Sequence, residues 1–261
     1  MCVICAGIGN ERPTRNELVR SCKANPDGFG WGAVVNIDNV PTLLSGKSMD
    51  SIEAILDYES VFNEHGDNVQ AHFFHARIAT HGKSELRNCH PFEVSNSNHQ
   101  TILAHNGVLP VTMSKSDWRS DSRVFAEDVL PRLGGVTALE SQPVWDVLDG
   151  FVDGANSKVV FLTLELATPL VILGESLGHW QTEGLWWSNR SYEEYKPVTY
   201  GQPFVRLHEV DDSDDLPLLT KCVSCTEFLD WQTDLCTFCG TCQDCESSWE
   251  QCDCYVPVGK R

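Results

Sequence analysis

Apolar residues along the first 205 positions follow two periods, one typical of buried strands and one typical of helices packed on a sheet. A capping-box pattern, Thr14 with Glu17, predicts a short helix near the start of the chain. Further helices are predicted at 49–66, 122–133 and 142–152, and buried strands at 33–37, 69–78, 101–109, 157–166 and 170–176. We expect seven or eight strands and four helices in a layered α/β or α+β domain.

The segment "NPDGFGWG" at 25–32 combines a turn signal with three glycines, Gly28, Gly30 and Gly32. Glycines at these positions permit another segment of backbone to approach closely. The segment precedes a predicted strand and does not open a helix, so it is not a dinucleotide-binding fingerprint. No phosphate-binding loop of the G-x-x-x-x-G-K-[ST] type is present in the sequence.

The net charge and hydropathy of the chain argue against nucleic acids and membranes as its partners. The chain carries 19 Lys+Arg against 37 Asp+Glu, a formal net charge of −18, which argues against a nucleic acid partner. It has no run of 18 apolar residues that would span a membrane, and no charged segment followed by an apolar one that would mark export. We therefore expect a cytoplasmic protein with no membrane partner.

The 12 cysteines are distributed unevenly, and their distribution predicts the domain organisation. Four of them (Cys2, Cys5, Cys22 and Cys89) lie in the first 221 residues, and the other eight lie between positions 222 and 254. We predict a main domain at 2–205, an acidic linker at 206–221 and a cysteine-rich module at 222–254.

Pairs of cysteines in the module have the spacing of a zinc ribbon, in which four thiolates hold one ion tetrahedrally. The candidate ligands are Cys222, Cys225, Cys236, Cys239, Cys242, Cys245, Cys252 and Cys254. They predict one or two structural Zn²⁺ ions, with an iron–sulfur cluster or disulfides as the alternatives. Twelve acidic residues and one lysine between 209 and 253 favour a protein partner for this module, with Trp231 or Trp249 as an anchor.

Cys2 directly follows the initiator methionine, and removal of Met1 would leave a thiol and a free α-amino group on one residue. An α-amine has a pKa of about 8, so it can take a proton from a neighbouring nucleophile at neutral pH. The bland alternative is that position 2 has no chemical role.

Other polar residues with catalytic potential follow predicted strands, in the segments "HARIATHG", "NCHPF", "AHNGVL" and "SDSRVF". Each segment has a structural alternative. Asp121 could be only a helix N-cap, Asn106 and Gly107 could form an ordinary hairpin turn, and the histidines could be satisfied core residues.

Taken in order, the N-terminal cysteine, "DGFGWG" and these four segments resemble the class II glutamine amidotransferases, which are N-terminal-nucleophile hydrolases. The resemblance covers 2 to about 205 and implies an α+β fold, the four-layer αββα sandwich of that family. "NPDGFGWG" is more similar to stand-alone members than to biosynthetic enzymes. Val3 and Ile78 depart from the family pattern, in which a glycine commonly follows the cysteine and an aromatic residue often follows the arginine.

The resemblance also implies roles for individual residues. Cys2 would attack the side-chain amide of glutamine, and Asn106 and Gly107 would form the oxyanion hole. Arg77 would bind the α-carboxylate of glutamine and Asp121 its α-ammonium. The loop residues Thr80, His81 and Gly82 would lie near the substrate backbone. No cofactor is implied for this glutaminase chemistry.

The implied function is hydrolysis of free glutamine to glutamate and ammonia through a Cys2 thioester, with a separate protein as the expected ammonia acceptor. Two alternatives stay open. The substrate could be another γ-glutamyl amide or peptide, or the chain could be a catalytically idle, zinc-dependent adaptor.

Overall fold

The computed structural model describes residues 2–79, 84–95, 97–114 and 116–194. Ten strands lie in these residues: β1 Val3–Ile8, β2 Phe29–Ile37, β3 Val40–Ser48, β4 Val69–Ala76, β5 Phe92–Glu93, β6 Thr101–Asn106, β7 Lys158–Thr163, β8 Leu170–Leu173, β9 His179–Thr182 and β10 Leu185–Trp187. The α-helices of the described residues are α1 Arg15–Ala24, α2 Ser51–His65, α3 Asp121–Val124 and α4 Gln142–Gly154.

The strands form two antiparallel sheets. One has six strands in the order β3-β2-β4-β1-β10-β9, and the other has four in the order β5-β6-β7-β8. β1 lies inside the larger sheet, where Cys5 pairs with Phe74 of β4 and with Trp187 of β10. The residue before β1, Cys2, is therefore held at the end of a strand that has neighbours on both sides.

Alternating side chains of each sheet divide the core into three apolar layers. Ile4, Phe73 and Trp186 of the larger sheet pack between the sheets against Ile102 and Leu162 of the smaller one. On the outer face of the larger sheet, buried residues of α1 and α2 pack on the opposite set of strand residues. The stretch that begins with α3, and α4, cover the outer face of the smaller sheet. This order of layers agrees with the αββα sandwich expected from the sequence.

The helix predicted at the capping box is confirmed, because Glu17 N–H donates to Thr14 Oγ1 at 3.3 Å and Thr14 N–H donates to Glu17 Oε2 at 2.7 Å. The helix predicted at 122–133 is only partly α-helical. α3 ends at Val124 and continues as a π-helical turn and a 3₁₀ turn that contains Pro131. Proline has no N–H to donate, so regular α-helical bonding cannot continue through it.

The described residues contain more strands than the seven or eight expected, and the apolar pattern did not predict β1, β3, β5, β9 or β10. β3, β5 and β9 are edge strands, and β3 and β9 consist mostly of half-buried or exposed residues, so they lack a continuous apolar run. The described helices include none that is long and apolar enough to cross a bilayer. The boundary at 205, the linker and the module at 222–254 lie outside the described residues and stay predictions.

Candidate active site

The thiol of Cys2 is held by the main chain of the segment that follows β4. Cys2 Sγ accepts a hydrogen bond from Ile78 N–H at 3.4 Å and lies 3.6 Å from Ile78 O, to which the thiol donates. The carbonyl oxygen of Cys2 accepts a 2.6 Å hydrogen bond from Asn189 Nδ2. Both the side chain and the backbone of Cys2 are therefore fixed by neighbours that are distant in sequence.

Burial raises the pKa of the Cys2 thiol, and the N–H of Ile78 and the charge of Arg77 only partly offset this effect. The thiol is therefore protonated at neutral pH and needs a base before it can act as a nucleophile. Within the described ranges, no histidine or carboxylate hydrogen-bonds to Cys2 Sγ.

Arg77 directly follows β4 and is buried. Its main chain pairs with the "NPDG" turn, because Asp27 N–H donates to Arg77 O at 2.9 Å and Arg77 N–H donates to Gly28 O at 2.8 Å. The carboxylate of Asp27 accepts Ala79 N–H at 2.8 Å. The turn predicted at 25–28 thus holds the segment that carries Arg77 beside the thiol.

The glycines after this turn provide the close approach that the sequence predicted. A Cβ added to Gly30 would lie 1.9 Å from His90 O, a contact that no side chain can make. The "NCHPF" segment therefore packs directly on the backbone of β2, one strand away from the end of β4.

Asn106 is the last residue of β6 and is completely buried. Its Nδ2 donates to Ser188 Oγ at 2.8 Å, and the same oxygen accepts Ile4 N–H at 2.8 Å. The second N–H of Nδ2 is left for another acceptor. Asn106 Oδ1 is buried and has no hydrogen-bond partner in the described part of the chain.

Gly107 adopts a φ of 145°, and a Cβ there would lie 2.2 Å from Ser157 Oγ and 2.8 Å from Ser157 Cα. Both the backbone and the packing therefore require glycine. The hairpin interpretation of this pair is wrong, because β6 pairs with β5 and β7 and the next strand in the chain, β7, begins only at Lys158.

Asp121 is the first residue of α3 and is 8% exposed. The N-cap interpretation is wrong, because Ser120 is the cap residue and its side chain accepts Arg123 N–H. Asp121 Oδ2 accepts Leu109 N–H at 2.8 Å, and Asp121 Oδ1 accepts the hydroxyl of Ser122 at 3.3 Å. The carboxylate is thereby tied to the loop that follows Asn106 and Gly107.

Three buried histidines adjoin these residues. His75 Nε2 donates to His105 O at 3.1 Å, and His105 Nδ1 lies 2.8 Å from Ser122 Oγ. The ring centroids of His75 and His90 lie 4.0 Å apart. Burial lowers the pKa of His75 to about 3 and that of His105 to about 4, so both are neutral at pH 7. Within the described part of the chain, neither ring nitrogen of His90 has a hydrogen-bond partner, so these residues do not make it a satisfied core histidine.

The structure thus brings Cys2, Arg77 and Asn106 to one region and links Gly107 and Asp121 to it. Thr80, His81, Gly82 and the eight cysteines of the tail lie outside the described residues. Sequence analysis missed Ser188 and Asn189, which contact Ile4 and Cys2 respectively. The signal for them is a polar pair directly after the apolar strand β10.

Residues 24–123 match the family model of the class II glutamine amidotransferases. No curated protein has a significant match to the chain.

Solved structures share a low sequence identity with this chain. The glutamine phosphoribosylpyrophosphate amidotransferase of B. subtilis, complexed with ADP and GMP, is 17% identical, with a TM-score of 0.39 and coverage of 74% of this chain and 42% of that one. A structure described as the allosteric regulatory enzyme of purine biosynthesis is 16% identical, with a TM-score of 0.40 and the same coverage. A glutamine aminotransferase class-II domain protein from Silicibacter pomeroyi is 14% identical, with a TM-score of 0.34 and coverage of 71% and 87%. The chain thus matches about two fifths of the length of the first two proteins.

Proposed function

We propose that this chain is a class II glutamine amidotransferase that hydrolyses the side-chain amide of free glutamine through a thioester on Cys2. The observation that carries the proposal is the position of Cys2 Sγ, which is held by the main chain of Ile78, directly after Arg77, while Ser188 ties Asn106 to Ile4 of the adjoining strand. The α-amino group that Met1 removal exposes is a base on the same residue. The family match supports the proposal because it includes Arg77, Asn106, Gly107 and Asp121, although it begins after Cys2.

The Cys2 thiol, its α-amino group, the two oxyanion donors and one water molecule account for every bond and proton of the proposed reaction. The α-amine takes the thiol proton, and Sγ attacks the amide carbon of glutamine to give a tetrahedral oxyanion. The free N–H of Asn106 Nδ2 and the N–H of Gly107 stabilise that oxyanion. The α-ammonium returns the proton to the leaving nitrogen, ammonia departs, and water hydrolyses the thioester to glutamate with the α-amine as base again.

Selectivity for a free amino acid follows from two opposite charges. Arg77 presents a guanidinium that suits the α-carboxylate of glutamine, and Asp121 presents a carboxylate that suits its α-ammonium. Leu109 N–H and the Ser122 hydroxyl use only part of the accepting capacity of the Asp121 carboxylate. Thr80, His81 and Gly82 complete the proposed substrate site.

The tail and the acceptor belong to the same proposal. The eight tail cysteines hold one or two structural Zn²⁺ ions, and a separate protein in the cytoplasm receives the ammonia. Thiolate spacing supports the zinc, and a closed set of four thiolates would leave no open position for catalysis. Zinc content of the full chain, compared with that of Cys222→Ser, tests this part separately.

The test of the activity is release of glutamate from glutamine by the purified full chain, with N-acetylglutamine and a γ-glutamyl peptide as competing substrates. We expect turnover of glutamine and at least a tenfold lower kcat/KM for the N-acetyl compound, which lacks the α-ammonium. Cys2→Ala should abolish turnover. Faster turnover of the γ-glutamyl peptide would shift the assignment to that substrate class. Glutamate release that survives in Cys2→Ala would overturn the mechanism.

A further inference from the structure

A cavity of about 370 Å³ lies between β3, at the edge of the larger sheet, and β5, at the edge of the smaller one. Its described lining comes from separate places in the chain: Lys47 on β3, Arg87 before β5, Phe92 and Glu93 on β5, Ser95 after β5, Arg123 on α3, and Glu127 in the turn after α3. Neither Cys2, Arg77 nor Asn106 lines it. The described residues of the candidate active site therefore do not line this cavity.

The charge of this cavity differs in sign from that of the chain. Three cations and two carboxylates line it, whereas the whole chain has a formal net charge of −18. The carboxylates are also engaged elsewhere. Glu127 accepts Arg123 Nε at 2.6 Å but also Arg119 Nη1 at 3.0 Å, and Glu93 lies 2.8 Å from His99 Nδ1.

Lys47 is the least compensated of these cations, because Arg87 Nε pairs with Glu85 Oε2 at 2.5 Å and Arg123 pairs with Glu127. No carboxylate lies within ion-pair distance of its ammonium among the residues that the structure describes, and its Nζ sits 4.9 Å from the ring centroid of Phe92. Burial lowers the pKa of Lys47 to about 8, and the charge of Arg123 acts in the same direction, while Cys89 and Glu127 offset part of this effect. A negatively charged ligand would offset both the burial of the Lys47 ammonium and its repulsion by Arg123.

The two arginines are held in place before any ligand arrives. The guanidinium of Arg87 lies 4.1 Å and that of Arg123 lies 4.7 Å from the ring centroid of Trp118. Arg123 Nη1 also donates to Arg87 O at 3.0 Å. Guanidinium groups fixed in this way lose little conformational freedom on binding, and their planar donors suit phosphate and carboxylate oxygens.

We propose that this cavity is a binding site for a small organic acid that carries a phosphate or carboxylate group. Lys47, Arg87 and Arg123 contact the anionic group, and Phe92 provides an apolar wall for the rest of the ligand. The volume lies in the range of small-molecule sites, at about 300–1,000 Å³. The proposal does not depend on the amidotransferase assignment.

Calorimetric titration of the full chain at low ionic strength tests it, with inorganic phosphate in one arm and citrate in the other. Saturable binding in either arm is expected, and the arm that binds more tightly identifies the anionic group. Lys47→Gln should lower the affinity for the anion at least tenfold, whereas Lys47→Arg, which keeps the positive charge, should retain much of that affinity. The matched control is Arg15→Gln, which also removes one positive charge, in α1 on the outer face of the larger sheet.

Thermal unfolding of each variant shows that it is folded before binding is compared. A second readout is acetylation of Lys47 near pH 8, which the tighter of the two anions should slow. Absence of saturable binding in both arms would overturn the proposal. So would an equal loss of affinity in Lys47→Gln and Arg15→Gln, because that result means non-specific attraction by surface charge.

Discussion

Asn106 and Ser188 are joined by a 2.8 Å hydrogen bond that connects the two sheets at the candidate active site. Asn106 ends β6 of the smaller sheet, and Ser188 follows β10 of the larger one. Ser188 Oγ also accepts Ile4 N–H, and Ser188 N–H donates to Ile4 O at 2.9 Å. A single buried hydroxyl therefore orients the proposed oxyanion donor relative to β1, the strand that directly follows the proposed nucleophile.

Ser188→Ala should lower kcat for glutamine by about 100-fold, since a small misplacement of a catalytic group has an effect of this size. It should also lower the free energy of unfolding by about 1–3 kcal/mol, because Ile4 N–H loses its acceptor in a buried place. Steady-state kinetics and urea denaturation measure the two effects.

The double variant Ser188→Ala/Asn106→Ala separates positioning from simple damage to the fold. If Ser188 acts through Asn106, kcat of the double variant equals that of Asn106→Ala alone. Independent, additive losses would contradict the positioning role.

Gly107→Ala should destabilise the protein, because its Cβ would overlap Ser157 and its φ of 145° is unsuited to a side chain. Overpacking alone costs about 1–3 kcal/mol. Gly150→Ala is the matched control, since no described residue lies within 4 Å of its added Cβ and Gly150 is in the interior of α4. It should stabilise the protein by about 0.5–1 kcal/mol. Equal effects of the two substitutions in thermal denaturation would contradict the geometry at Gly107.

Asp121→Asn should raise KM for glutamine by about 10- to 100-fold, since hydrogen bonds to charged groups contribute about 1.5–3 kcal/mol. Asparagine keeps an oxygen that can accept Leu109 N–H, so the loop stays tethered. Glutaramic acid, which lacks the α-amino group, is the control substrate. If Asp121 binds the α-ammonium, the substitution leaves kcat/KM for glutaramic acid unchanged, and an equal loss for both substrates would argue for a purely structural role.

Stability should fall as the pH falls below about 6.5, because buried histidines must stay neutral in the fold. Nδ1 of His72 accepts the hydroxyl of Tyr58 and its Nε2 donates to Glu11 O, both at 2.8 Å. Burial lowers the pKa of His72 to about 4, whereas an unfolded histidine titrates near about 6.5. Between these two pH values a histidine is protonated in the unfolded state and neutral in the folded state. Each such histidine therefore lowers the free energy of unfolding by about 1.4 kcal/mol for each pH unit that the pH falls.

Urea denaturation between pH 7.5 and pH 5 measures this slope. In His72→Gln, the free energy of unfolding should change less steeply with pH, because one titrating histidine has been removed. A slope that His72→Gln leaves unchanged would mean that His72 is already protonated in the fold, or that it does not titrate in this range.

The sequence predicted several strands that are buried on both faces, because they form continuous apolar runs. β7 is an example, since all of its residues, from Lys158 to Thr163, are buried. The sequence missed β1 and the three-residue β10, although both are also largely buried. It did not predict β3 or β9, because an edge strand keeps polar and half-exposed residues and its pairing depends on a neighbour elsewhere in the chain. Register and edges are properties of the assembled sheet and not of a local window.

The candidate site shows the same division. The order of short motifs predicted Cys2, Arg77, Asn106 and Asp121 as site residues. In the fold, the segments that carry them lie next to one another. Ser188 lies 82 residues from Asn106 in sequence, and no local pattern indicates that bond. The cavity at Lys47 was missed for the same reason, because its cations come from distant segments and cluster only in the fold.

The central claim is that the mature chain begins at Cys2 with a free α-amino group and that this residue is the nucleophile. Intact-mass spectrometry, before and after incubation with 6-diazo-5-oxo-norleucine, tests it most directly. We expect a mass without Met1, a single adduct that peptide mapping assigns to Cys2, and no adduct in Cys2→Ala. Retention of Met1, or an acylated α-amine, in material that still turns over glutamine would contradict the account.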